Sequence, residues 1–337
     1  MATIDDVARA AGVSISTVSY TLSGKRPVAE PTRHRVRQAI DRLGYSPHAA
    51  ARTLAGDRTH LFALTEPLRS DTHAPTHMAF VLAMTVAARR RDYDILLLTE
   101  EDASAGMERV TARRLIDAIL VLDVAPTDPR ADIARAIDIP AVFVGVPDNR
   151  KNLVCVDLDF EAAAHMVILR LASAGHRSVG ILGHPHEAYT TSNYPPRALR
   201  ACIEAADAHR MVYHFQTSGQ TQVDVDTCRR ATRELIAAGA TAIVIHAAPE
   251  AHTAVLAEIA AHGLCVPDGA SLVSLAAPAG VGENPPRLDG VPLVPRDSAE
   301  RAVELAMQLL SGDPPEPGVY LTEPHYQDAG TVAPPPR

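Results

Sequence analysis

Thr3-Ile-Asp-Asp-Val-Ala-Arg-Ala-Ala-Gly-Val-Ser14-Ile-Ser-Thr-Val-Ser-Tyr20 begins a run of helical signals that continues to Leu54-Ala-Gly56. Thr3 can cap a first helix, and Asp6, three residues on, can reach back to it as a capping box, with Val7, Ala8 and Ala11 on one face. Gly12 ends that helix. Ser14 caps a second one, in which Val18 and Leu22 are expected to face inward and Ile15, Ser16, Ser19 and Tyr20 outward, before Ser23-Gly24 stops it. A third helix starts at Glu30-Pro31 and carries Val36, Ala39, Ile40 and Leu43 as far as Gly44. Three short helices sharing one apolar face, with a tight turn between the first two, make a helix-turn-helix bundle. In that geometry the second helix enters a major groove of double-stranded DNA.

Charge divides the chain in the same place. Residues 1–60 hold nine Lys and Arg against five Asp and Glu, a net of +4, so the total of −8 leaves −12 for the remainder. Only the front end is an electrostatic match for phosphate.

These residues resemble the headpiece of the LacI/GalR (lac repressor) family of bacterial transcription regulators. The resemblance runs through Asp6-Val7-Ala8, Ala11-Gly12-Val13-Ser14, Thr17-Val18-Ser19, Thr32-Arg33, Leu43-Gly44-Tyr45-x-Pro47 and Leu54-Ala55. It implies that Ile15, Ser16 and Tyr20 touch base edges, while Thr3, Ser14, Thr17, Ser19 and Thr32 hold phosphates. Neither Ile15 nor Tyr20 is a bidentate reader of guanine, so discrimination of roughly 1 to 3 kcal/mol per base is expected from methyl, ring and hydroxyl contacts. It also implies that residues 47–56 form a hinge helix, ordered on DNA beside its twin in the minor groove. Within it His48 and Arg52 are further DNA contacts, and Leu54 is an apolar wedge at a central base step.

At 337 residues with 47% hydrophobic composition, the chain has room for a headpiece and two further globular lobes. Short apolar runs (Leu61–Leu64, Ile95–Leu98, Ala118–Leu122, Ala141–Val144) alternate with helical stretches near 76–91, 105–115 and 130–137. A second series follows (Val179–Leu182, Met211–Phe215, Ala242–Ile245, Ser271–Leu275), with helices near 161–174, 197–208, 226–238 and 250–262. Alternation of this kind predicts two doubly wound parallel sheets. A helix at Ser298–Leu310 and the run Val319–Thr322 are left over.

The family resemblance returns in Val156-Asp-Leu-Asp159, Leu171-x-x-x-Gly175-His176-Arg177 and the glycines Gly180 and Gly183. It implies a periplasmic-binding-protein-like (type I) core in which the chain crosses back between lobes. The expected domains are a helix-turn-helix at 1–46 and a hinge and linker at 47–60. The first core lobe is expected from 61–158 with 291–322, and the second from 159–290 with 323–337.

Ligands of such sheets bind outside the carboxyl ends of the strands. The candidate effector residues there are His73, Met78, Asp123, Tyr189, Arg197 and His246, with Thr76, His184 and Glu250 nearby. Arg197 matches the family's effector-contacting arginine, and a guanidinium there can offer two parallel donors. Three departures weaken the usual sugar grip. Ala276 stands where the family carries an aspartate, Ala247-Ala248 where an Asn-Asp pair is usual, and Arg200-Ala201 where a glycine and an aromatic are usual.

The resemblance therefore implies a homodimeric regulator, a repressor by the commoner family behaviour, on a palindromic operator. A small-molecule effector, sugar or sugar-derived, would control its affinity. The departures leave a second reading open, a DNA-binding protein blind to effectors whose core only dimerises. A soluble small-molecule-binding protein would explain the core and not residues 1–56.

No enzyme and no cofactor are expected. Thr65-Glu-Pro67 cannot form the glycine turn of a dinucleotide site, and no nucleophile or carboxylate constellation appears. His184-Pro-His186 with Glu187 could offer metal ligands, but a proline-separated pair in a loop reads as surface, and no metal is assigned. Cys155, Cys202, Cys228 and Cys265 form no Cys-x-x-Cys pair and read as reduced thiols. The helical signals begin almost at Met1 and no apolar run approaches a membrane span, so a cytoplasmic location is expected. The tail Pro334-Pro-Pro-Arg337 encodes no leucine heptads, which favours a dimer over a tetramer.

Overall fold

The computed structural model describes residues 2–23, 26–45, 58–67, 69, 72–100, 102–278 and 287–336. They form two compact units, Met1–Leu61 with Val110–Asp117, and Phe62–Arg109 with Ala118–Arg337.

The first unit contains three helices, α1 (Ile4–Ala11), α2 (Ile15–Ser23) and α3 (Glu30–Leu43). The capping box at the start of α1 is complete. Asp6 N donates to Thr3 Oγ1 at 3.3 Å, and Thr3 N donates to the Asp6 carboxylate at 2.9 Å. Bonds from the Thr3 side chain and backbone hold the Asp6 carboxyl below its ordinary range. Gly12 closes α1 and Gly44 closes α3 in the left-handed region, at φ 65° and 57°. Val7, Ala8, Ala11, Val18, Val36, Ala39 and Tyr45 make the core. Two expected members are absent from it, because Leu22 (41%) and Leu43 (36%) are exposed. They lie one turn beyond Val18 and Ala39, past the end of so small a bundle, and Tyr45 fills the place after α3.

The second unit alternates strand and helix. Its elements are β1 (Leu61–Thr65), α4 (Ala74–Arg89), β2 (Asp94–Leu98), α5 (Ala103–Ala112), β3 (Ala118–Val121), α6 (Arg130–Ala136), β4 (Ala141–Val144) and β5 (Val154–Leu158). Then come α7 (Phe160–Ala174), β6 (Ser178–Gly183), α8 (Ala188–Thr191), α9 (Tyr194–Ala208), β7 (Val212–Thr217), α10 (Val225–Ala237), β8 (Ala242–Ile245), α11 (Pro249–Ala261) and β9 (Ser271–Pro278). The last are β10 (Asp289–Leu293), α12 (Pro295–Leu309) and β11 (Gly318–Thr322).

One sheet has the order β11-β5-β4-β3-β1-β2 and the other β10-β9-β8-β6-β7. The strand pairs run parallel, with Val154 level with Val142 on one side and Gly318 on the other. Each sheet is buried on its inner strands, so those strands read as apolar runs. Phe62, Leu64, Met84, Leu120 and Val303 belong to the first lobe's core. Two apolar clusters serve the second, one around Ile168, Ile181 and Val244 and one around Leu235, Ile243 and Leu272.

The chain changes lobe three times. It leaves the first after β5, returns with α12, and goes back to the second after β11. β10 pairs with β9 as far as Leu293, so the return starts with α12 and not at residue 291. Neither β5 nor β10 stands out as an apolar run in the sequence, since Asp157 interrupts one and Gly290 and Pro292 the other. Gly290 has φ 152°, and a Cβ there would lie 1.9 Å from the Ser274 carbonyl oxygen. Among the described residues no helix is long and apolar enough to cross a membrane. The four cysteines are free, three of them buried and Cys265 exposed.

Residues 323–336 strap the second lobe. Asp289, whose side chain is fully buried, accepts from Ala329 N and Thr331 N at 2.8 Å each and from the Tyr326 hydroxyl at 3.0 Å. His176 of the Gly-His-Arg motif donates from Nε2 to the Ala333 carbonyl at 2.9 Å, and its Nδ1 is 2.8 Å from Thr241 Oγ1.

Burial opposes ionisation of Asp289, but these bonds outweigh it and lower its carboxyl below the usual range, while burial lowers His176. Both groups contribute stability above their unfolded pKa values and lose it as pH falls. The urea midpoint of the second lobe should therefore drop from about pH 6.5 downward and again below about pH 4. Asp289→Asn should remove the lower step and Asp289→Ala should cost on the order of 3 kcal/mol. Urea denaturation followed by circular dichroism between pH 3 and 8 checks both.

Candidate functional site

The carboxyl ends of both sheets face one another across a cavity of about 400 Å³. A smaller recess of about 80 Å³ continues it between Phe80, Asp157, Phe160 and Asn193. On the first lobe Glu66 follows β1, Asp123 follows β3, and α4 brings His73, Thr76 and His77 to the rim. On the second lobe the wall combines Pro185, Val223, Ala247, Ala248, Ala276 and Pro278 with the polar His184, Ser192, Tyr194, Thr221, Gln222 and Glu250.

The first-lobe wall is charged and internally paired. Glu66 is 1% exposed and its Oε1 lies 2.5 Å from His77 Nδ1. Burial disfavours the imidazolium, but the bond and charge of Glu66 outweigh it and His77 is raised above its ordinary value. Asp123, at φ 50°, carries the Arg69 guanidinium 2.6 Å from Oδ2, while burial pushes its own carboxyl up. Arg130 braces the loop behind it. Its Nε and Nη2 donate to Asp128 at 2.9 and 2.7 Å, and its remaining donors reach Thr65 Oγ1 and the carbonyls of Leu122 and Asp123. Among the described residues, Glu66, His77 and Asp123 place potential metal-ligating atoms within 4.8 Å of one another. His77 and Arg69 already partner both carboxylates there.

Among the described residues, one ionisable pair spans the mouth of the cleft, His73 Nε2 and Glu250 Oε1 at 3.2 Å, with His73 Nδ1 2.7 Å from Thr76 Oγ1. On the second-lobe wall His184 packs edge to face at 4.6 Å on His246 behind it, and Tyr194 lies beside both. Burial lowers His184 to about 3 and pushes His246 down as well, so both imidazoles are neutral.

Of the expected effector residues, His73 and Asp123 line the cavity, as do Thr76, His184 and Glu250. Four do not, and each has a physical reason. Met78 lies on the outer face of α4 with Leu82 and Val86, at helical spacing, all three exposed. Tyr189 turns its ring edge against Phe215, 5.6 Å between centroids. His246 sits behind His184, 2% exposed. Arg197 donates from Nε and Nη2 to Glu161 at 2.8 Å each, and from Nη1 to Asp157 at 2.7 Å and to Asn193 Oδ1 at 3.2 Å. Sequence reasoning missed Glu66, Arg69 and His77. The helical phase of α4 could have found His77, since 73, 76, 77 and 80 share one face.

In the first unit, Ile15 (44%) and Ser16 are exposed on α2. Tyr20 is half-buried, with the Arg26 guanidinium 5.3 Å from its ring centre. The hydroxyls assigned to phosphates take part in local structure. Thr3 Oγ1 lies 2.7 Å from Asp6, Ser14 Oγ accepts from Thr17 N at 3.2 Å and lies 2.9 Å from Thr17 Oγ1. Ser19 and Thr32 are half-buried on α2 and α3. His48, Arg52 and Leu54, and with them the hinge helix, lie outside the described residues.

Residues 3–48 match the family described as bacterial regulatory proteins, lacI family, and residues 168–328 match a periplasmic binding protein-like domain. The chain is similar to the HTH-type transcriptional regulator CelR of Thermobifida fusca, 31% identical over 196 residues, 55% of this chain and 56% of that protein. It is also similar to the HTH-type transcriptional repressor PurR of Glaesserella parasuis serovar 5, 29% identical over 66% of this chain and 65% of that one. The matched stretch thus spans between half and two thirds of these relatives, which are regulators and not enzymes. In fold the chain is similar to a lac repressor dimer bound to operator and the anti-inducer ONPF, with TM-score 0.81, 21% identity, and 98% and 99% of the two chains covered. A CelR–cellobiose complex gives TM-score 0.67 at 23% identity, covering 98% and 100%.

The Glu66–His77 pair can be tested directly. The His77 imidazole should titrate above the ordinary value near 6.5, and Glu66→Gln should lower it, because burial then loses its main opponent. Proton–nitrogen NMR of the histidine rings against pH reads the shift.

Proposed function

Since the chain belongs to the lacI family of bacterial regulatory proteins, we propose that it is a sequence-specific DNA-binding transcriptional repressor. In this reading it binds a palindromic operator as a homodimer in the cytoplasm, under the control of a small sugar or sugar-derived effector in the core cleft. The observation that carries the reading is the capped helix-turn-helix with Ile15 and Ser16 exposed and Tyr20 half-buried on α2. The net +4 of the first 60 residues supports phosphate contact by that end alone. The apolar stripe Met78, Leu82 and Val86, exposed by 42%, 65% and 45%, supports pairing with a second copy along α4.

Effector contacts fall to His73, Thr76, His77, Asp123 and Arg69 on the first lobe and Glu250 on the second. A ligand that favours one arrangement of the lobes by roughly 1 to 3 kcal/mol changes operator affinity 5- to 150-fold. The effector-blind reading keeps one observation in its favour. Ala247, Ala248 and Ala276 line the cavity at the positions where the family resemblance implies an Asn-Asp pair and an aspartate, which leaves Gln222 and Glu250 as the amide and carboxylate of that wall. A thermal-shift screen with sugars, sugar phosphates and nucleosides separates the two, because a core that none of them stabilises is a dimerisation body alone.

Selection of bound sites from random duplex DNA should recover a palindrome. A chain that stays monomeric and enriches no sequence at low salt refutes the proposal. Leu54→Ala should weaken binding to the recovered site far more than to random duplex, by a few kcal/mol if the side chain unstacks a base step. Gel-shift titrations with both DNAs check this, and equal loss on both removes the wedge role.

A further inference from the structure

The Arg197 cluster sits where the chain passes from one lobe to the other. Asp157 is on β5 of the first lobe, Glu161 is on the first turn of α7 in the second, and the crossover between them is only three residues long. Arg197, from α9, holds a carboxylate on each side of it. Glu161 takes Nε and Nη2 in a fork, and Nη1 is left for Asp157. A planar guanidinium fixed by two parallel bonds cannot follow the second carboxylate if the crossover bends.

Asn193, four residues earlier, makes the neighbouring connection. Its backbone and side-chain amides donate to the Val124 carbonyl at 3.0 and 2.8 Å, and its Oδ1 accepts from Val146 N at 3.1 Å. Both partners are on the first lobe. Gly145 leaves the room for this, since a Cβ there would lie 2.7 Å from Asn193 Nδ2. Asp157 is 8% exposed, and its carboxylate has Leu158 N and Arg197 as partners.

We infer that Arg197 is a clamp on the hinge between the lobes rather than an effector contact, and that Asp157, Glu161 and Asn193 are the parts it holds. The guanidinium lines neither the main cavity nor the recess, and four of its hydrogen-bond positions face protein oxygens. Releasing it frees the angle between β5 and α7 and so the separation of the two lobes. The inference concerns the core by itself, so it stands or falls independently of operator binding.

The test is the distribution of inter-lobe distances in the full chain without DNA or added ligand. Spin labels go on Glu108→Cys of α5 and Asp226→Cys of α10, both exposed, with Cys265→Ser removing the exposed thiol. Arg197→Met should broaden the distribution and shift its mean, and Arg197→Lys, which keeps the charge but not the fork, should fall between that variant and the parent. Asp157→Asn should broaden it less, because an amide still accepts from Nη1. A distribution unchanged in Arg197→Met overturns the inference. If Arg197→Met does not fold, the Asp157→Asn variant decides: a distribution as narrow as the parent's then overturns it.

Discussion

A carboxylate withdrawn from water has to bring its positive partner with it, and the ends of two parallel sheets are where this chain withdraws them. The effective cost of burying an ion is several kcal/mol even after relaxation, so an unaccompanied Asp or Glu there would protonate or unfold its surroundings. Among the described residues, each of four buried acids around the cleft accordingly has a basic side chain at hand. Asp128 has Arg130, Asp123 has Arg69, Glu66 has His77, and Asp157 has Arg197. These pairs are not decoration on a finished fold. Arg130 also bonds two carbonyls of the strand-to-loop turn after β3, so the geometry that presents Asp123 depends on a neighbour's ion pair.

The same constraint explains why the two walls differ. On the first-lobe wall of the cavity and its recess, Glu66, Arg69, His73, His77 and Asp123 come from the loops after β1 and β3 and from α4. The second-lobe wall carries Ala247, Ala248 and Ala276, and its histidine, His184, is held neutral by burial together with His246 behind it. A neutral imidazole pair asks for no counter-ion. The lobe that carries the strap, with Asp289 satisfied by three backbone and side-chain donors of residues 326–331, is stiffened from outside the cleft.

Much of this was legible in the residues. The caps and stop glycines of α1 to α3 are local chemistry, and the inner strands β1, β3, β4, β6, β8 and β9 are apolar runs because their faces are largely buried, while the edge strands β2 and β7 carry runs that are only half-buried. What was not legible depends on tertiary neighbours. Asp157 hides β5 because a strand-interior acid is tolerable only with Arg197, which comes forty residues later. Gly290 and Pro292 hide β10 because the close approach to Ser274 is a property of the sheet and not of the run itself. Arg197 is singled out by the family resemblance, but a resemblance cannot say whether a guanidinium is free or already committed. Met78 was placed on the cleft face of α4 where helical phase puts His77 instead. Leu22 and Leu43 obey the helical period and still face solvent, because periodicity gives direction and not the extent of a core.

The layout also limits how a bound molecule could act at a distance. A ligand shifts an equilibrium only by the difference in its affinity for the two states, so one that touched Arg69, His77 and Asp123 alone would bind open and closed lobes alike and move nothing. Differential affinity requires contact with both walls at once. The position best suited to provide it is the rim where His73 meets Glu250, the ionisable pair that spans the gap, because any group inserted there must trade with a bond that exists only when the lobes are near. On the far side of the same gap, the hinge holds its angle through Arg197. Closure is therefore governed from two ends, by a pair a ligand can reach and by a cluster it does not line. The coupling available to the rest of the molecule is the difference between what the first gains and what the second resists.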